Sequence, residues 1–138
     1  MKKIVLSFEF LVTMEEKSVI KKRTYEFALK IIDLYKMLIS ANEYVLSRQL
    51  LKAGTSIGAN IEEALAGQSR ADFLSKMSIA SKEARESNYW LRLIRDRKFL
   101  EDRHVDPLLA ESSEIIRMLT SIVKTTSSSN SKLKTNNS

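Results

Sequence analysis

The side chains that could do chemistry in this chain are few, and their spacing works against it. His104 is the one histidine, so the paired Glu-x-x-His ligands that hold metals inside helical bundles cannot form. Cysteine is absent, which removes disulfides, thiolate ligands and thiol nucleophiles and fits a reducing cytoplasm. The carboxylates Glu62, Glu63, Glu83 and Glu86 could form an acid–base set, yet Lys82 and Arg85 sit among them, the pattern of salt bridges along helix flanks. The expectation is a non-enzymatic protein with no catalytic residue, metal or cofactor, and with His104 in a surface loop.

A second stretch invites a ligand. The segment AGTSIGANIEEALAGQS, Ala53 to Ser69, carries Gly54 and Gly58 inside an otherwise helical pattern, where each glycine costs roughly 1 kcal/mol against alanine. A phosphate-binding loop would follow a strand and place Lys and Ser or Thr after its last glycine, but Gly58 is followed by Ala59 and Asn60. The remaining explanation is packing: Gly54 and Gly58 share a face, and their missing side chains let another helix come close.

The charge balance points outward. Net charge is +6, with eight basic against five acidic residues over 1–40 and nine against six over 70–104. Lys21, Lys22 and Arg23 begin the first helix, while Arg92, Arg95 and Lys98 end the third, so the two clusters fall at opposite ends of a subunit. A ring of subunits would gather each into a basic rim able to hold the phosphates of structured RNA or DNA. The competing reading is solvated helix faces that keep the protein soluble. No aromatic platform or recognition helix is visible, so base-specific readout is not expected.

These residues must be positioned by helices. Apolar residues recur at spacings of three and four over about Lys17–Ile39 (Ile20 to Leu38), Ser47–Ala66 (Leu50 to Ala64), Arg70–Lys98 (Phe73 to Ile94) and from Pro107 (Leu108 to Ile122). Ser69 with Asp72 reads as a capping box, and Asp106 with Pro107 as a cap followed by a preformed first turn. Short connections make an all-α, antiparallel up-down-up-down four-helix bundle the economical topology. The bundle should occupy residues 15–124, after an N-terminal extension over 1–14 and before a disordered tail over 125–138 whose polar composition offers little to bury. The basic, apolar start resembles a secretory signal, but Glu9 interrupts it and it is too short to span a membrane, so no membrane association is expected; Met14 is an alternative start. Second apolar series that include Tyr25 and Ile32 on the first helix, and Tyr89 and Leu93 on the third, widen the apolar faces beyond one bundle seam and predict a homo-oligomer.

With QLLKAGTSIGANIEEALAGQSRADFLSKMSIASKEARESNYWLRLI and the upstream YEFALKIIDLYKML in view, the chain resembles the bacterial four-helix-bundle proteins first noted as products of intervening sequences inside large-subunit ribosomal RNA genes. The likeness runs over about Glu15–Leu119. It implies an antiparallel bundle that assembles into a ring, commonly a pentamer. It also implies similarity to an accessory protein of diversity-generating retroelements that binds nucleic acid through a basic surface. No enzymatic activity comes with the resemblance, so it leaves two roles open: a nucleic-acid-binding accessory protein, or an oligomeric scaffold for another protein.

Overall fold

The computed structural model describes residues 12–136, in which four helices follow one another: α1 (Met14–Ser40), α2 (Leu46–Ala66), α3 (Arg70–Asp96) and α4 (Asp102–Asn136). Each helix buries the stripe that its spacing marks out, Ile20 to Leu38 on α1, Leu50 to Ala64 on α2, Phe73 to Ile94 on α3 and Leu108 to Ile122 on α4. The stripes meet in one core and make a four-helix bundle. Contacts descend α1 as they ascend α2, from Ile31 at Gly54 through Thr24 at Gly58 to Lys21 at Glu62. They run in the same opposite order along α3 and α4, from Arg85 with Thr120 through Asn88 with Ser112 to Lys98 with Asp102.

The two glycines are filled differently. A Cβ on Gly54 would stand 2.8 Å from both γ carbons of the buried Ile31, whereas one on Gly58 would stand 3.4 Å from the backbone oxygen of Thr24. The hydroxyl of Thr24 is itself turned inward and donates to the Ile20 carbonyl at 2.8 Å. Buried Ser87 and Thr126 do the same one turn back along their helices, so these core hydroxyls cost no unpaired donor.

Helix ends hold several departures from expectation. Ser69 caps α3, its hydroxyl accepting from the Asp72 N–H at 3.0 Å, but the complete capping box lies at Thr13 and Glu16. Val12, just before it, is 1% exposed and belongs to the core, so the bundle begins before the extension expected over 1–14 ends. The first eleven residues of that extension lie outside the described residues. At the other end the expected disordered tail is corrected: α4 runs on through Thr125 to Asn136, because Thr126 continues its buried stripe one turn past Ile122. Positions 137 and 138 lie outside the described residues.

Helix α4 also starts earlier than Pro107, at Asp102, which puts His104 on a helix and not in a loop. Pro107 sits inside the helix, where it removes the donor to the carbonyl of exposed Arg103 and its ring crowds that carbonyl, close to the helix start. Two of the three turns, α1–α2 and α3–α4, close on left-handed residues, Asn42 (φ 63°) and Lys98 (φ 56°). In each the next N–H reaches back five positions, Glu43 to Leu38 and Phe99 to Ile94, which is the Schellman arrangement.

Helix α2 has no Ser, Thr or Asn cap; Glu43 does that work. Its nearly buried carboxylate accepts from the N–H groups of Val45, Leu46 and Ser47 at 3.1, 3.0 and 2.6 Å. Burial works against the charge of Glu43, but the N–H groups of Leu46, Ser47 and Val45 outweigh it and bring its pKa below the ordinary 4.5. A carboxyl whose pKa falls on folding stabilises the fold fully above its unfolded value and ceases to do so as pH drops through the folded one.

Two stability measurements follow. Gly54→Ala should cost about 1–3 kcal/mol, because Ile31 is fully buried and has nowhere to move, while Gly58→Ala should be neutral or gain up to about 1 kcal/mol of helix propensity. Thermal melts followed by circular dichroism would contradict this packing if the two changes ranked the other way. Glu43→Gln should lower stability by about 1 kcal/mol at neutral pH, and urea melts should find the gap closing as pH falls below about 4.5. A gap independent of pH would mean that the carboxylate charge does not hold α2.

Candidate nucleic-acid and assembly surfaces

The six cations singled out as rims stand where expected, three near the start of α1 and three near the end of α3, but four of them are already engaged. Arg23 Nη2 donates to Glu114 on α4, and Lys21 Nζ lies 3.9 Å from Glu62 on α2. Arg95 donates to Asp96 at 2.9 Å and faces Asp106 at 3.9 Å, while Lys98 Nζ lies 3.1 Å from Asp102 and closes the α3–α4 turn. Of the six, Lys22 and Arg92 have no carboxylate within ion-pair distance among the described residues. Arg92 donates to Asn88 Oδ1 at 3.0 Å and stands over the Tyr89 ring, 5.6 Å from its centroid. The rims are therefore mixed ends, with carboxylates interleaved among the cations.

Carboxylates are not spread evenly over the rest of the surface. On α4, Glu111 and Glu114 both turn toward α1, where they meet Lys30 at 2.8 Å and Arg23. Glu63 on α2 meets Lys76 on α3 at 2.8 Å, and this carboxylate holds the Lys76 pKa above its ordinary value. Glu83 feels the charge of Lys52 on α2; burial, reinforced by Glu86, raises its pKa. The seam between α3 and α4, from Arg92 toward Ser128, receives none of these acids. Arg85 is exposed there and donates to Thr120 Oγ1 at 2.9 Å; with Ser81, Lys124, Ser127 and Ser128 it borders an open groove of about 590 Å³. Sequence reasoning missed Arg85 and Lys124 as a pair because they lie on different helices and share no motif.

The assembly residues occupy two surfaces. Tyr25 is 60% exposed on α1 and Tyr89 46% on α3, while Ile32 and Leu93 are half-buried beside them. Tyr25 borders a shallow hollow with Lys21, Lys22 and Glu62, and Tyr89 packs edge-on against Trp90 with centroids 5.2 Å apart. Among the described residues no cluster of His, Asp or Glu could hold a metal ion, and no helix is long and apolar enough to cross a membrane. His104 stands 3.9 Å from Glu101 and lines a small α1–α4 hollow with Lys30, Asp33 and Pro107, with no second ligand-type nitrogen beside it.

The model of the 23S rRNA-intervening sequence protein family matches residues 16–121. The chain belongs to that family. A solved structure from Bacteroides thetaiotaomicron VPI-5482, a protein of unknown function from the S23 ribosomal protein family, is 44% identical and superimposes with a TM-score of 0.76 over 79% of this chain and 98% of that one. No curated protein matches. The family match starts after the Thr13–Glu16 capping box has begun and stops before Thr126, so Val12, Thr13 and the last turns of α4 lie outside the matched span.

Proposed function

We propose that this protein is a non-enzymatic bundle subunit that assembles into a ring, a homopentamer by the resemblance above, and binds structured RNA or DNA through charge without reading base sequence. The observation that supports binding is the placement of three exposed cations, Arg85, Arg92 and Lys124, along one seam with no described carboxylate within ion-pair distance of them, on a chain of net charge +6. Phosphate contacts of this kind position a nucleic acid and release its counterions but carry no sequence information. Assembly is supported by two different apolar surfaces on one subunit, Tyr25 with Ile32 and Tyr89 with Leu93. If one meets the other on a neighbour, the contact is heterologous and closes into a ring when the rotation allows. A second reading, an oligomeric scaffold for another protein, draws on the same exposed tyrosines and needs no nucleic acid.

Gel shifts with duplex DNA and structured RNA distinguish the two readings. Binding should be indifferent to sequence and should weaken linearly in log–log against salt, by about 0.9 per phosphate neutralised on a duplex. Wild-type protein that leaves both unshifted at micromolar concentration and low salt would hand the function to the scaffold. For assembly, light scattering should find a multimer, and Ile32→Glu with Leu93→Glu should drive it toward monomer with helicity retained, because a charge would be stranded in a desolvated contact. A wild-type protein that is monomeric at tens of micromolar contradicts the ring.

A further inference from the structure

We infer that the phosphate track is the α3–α4 groove centred on Arg85 and Lys124, not either of the basic helix ends. The inference rests on the nucleic-acid reading above and names its surface. Of the four seams between neighbouring helices, the other three each spend cations on carboxylates: Lys21 on Glu62, Lys76 on Glu63, and Arg23 with Lys30 on Glu114 and Glu111. The α3–α4 seam does so only at its closed end, where Arg95 faces Asp106 and Lys98 meets Asp102. Beyond Arg95 toward Ser128 its polar groups are cations, hydroxyls and the Asn88 amide, with apolar Val123 among them.

The register sets the cations in line. Arg85 bonds Thr120, so Lys124, one turn further along antiparallel α4, comes level with Ser81 on α3, and Arg92 stands two turns from Arg85 the other way. Arg92 is kept on this side by Asn88, which accepts from it and donates to Ser112 on α4 at 2.9 Å. From Ser81 to Arg92 the helix rises about 16 Å, long enough for more than one phosphate of a strand backbone to lie along it. Three cations spaced over that length can hold a strand backbone. Ser81, Thr120 and Ser127 offer neutral hydroxyl donors between them, the usual supplement to Arg and Lys on phosphate oxygens. The missing carboxylates matter as much, because each would repel the strand and recapture a neighbouring cation.

Fluorescence anisotropy of the full chain with duplex RNA and duplex DNA of about 20 base pairs, in two unrelated sequences over about 50–200 mM salt, tests the groove. Arg85→Gln with Lys124→Gln should weaken every duplex alike by at least about tenfold and lower the salt slope by about 2, one for each cation removed. Arg85→Lys, which keeps the charge and gives up the guanidinium bond to Thr120, should keep the affinity. The comparison pair Lys21→Gln with Arg23→Gln should change it little. If wild type binds and the groove pair binds as tightly with the same slope, the groove inference fails and nucleic-acid binding stands; if wild type does not bind, the reading beneath it fails. A groove pair that changes the mass seen by light scattering would make this seam a subunit contact and overturn the inference as well.

Discussion

The close approach of α1 to α2 fixes the surface of this protein. Gly54 gives up the space that Ile31 fills, and Gly58 lets the Thr24 backbone lie within ordinary contact, so the two helices cannot slide without a clash or a void. That register puts Lys21 opposite Glu62 and turns the other flank of α1 toward α4, where Arg23 and Lys30 find Glu114 and Glu111. Helix propensity given up at two glycines is returned as a defined arrangement of charges.

Exposed ion pairs of this kind contribute little stability, commonly below about 1 kcal/mol each. Their consequence is electrostatic: they draw carboxylates of α2 and α4 into seams where cations already stand, and the α3–α4 seam pairs cations with carboxylates only at its closed end, at Asp102 and Asp106. Under the proposed function, non-specific recognition of phosphate needs no more than such a seam.

The fold was legible because the core is periodic. Ile20 to Leu38 and Phe73 to Ile94 follow one spacing without interruption, and helix interiors obey it whatever the rest of the chain does. Ends were less legible. Pro107 reads as a first helical residue, yet α4 begins at Asp102, and the carbonyl that the proline leaves without a donor belongs to exposed Arg103 at the helix start. Thr126 reads as tail because it is polar, but its hydroxyl is satisfied by the Ile122 carbonyl and its methyl side can be buried. Glu43 was missed as a cap because a buried carboxylate serving three N–H groups has no local signature in residue type. Charge was least legible of all: Arg23 and Glu114 are 91 residues apart, so whether a cluster of cations is free depends on partners that only the folded register supplies.

The account stands on which cations meet the nucleic acid, and lysine acylation read by mass spectrometry with and without bound duplex measures that directly. Lys124 should be protected by duplex RNA or DNA while Lys21 and Lys22 stay as reactive as in free protein. Protection of Lys21 and Lys22 with Lys124 left reactive would contradict it, and would mean that the helix ends, not the α3–α4 seam, hold the phosphates.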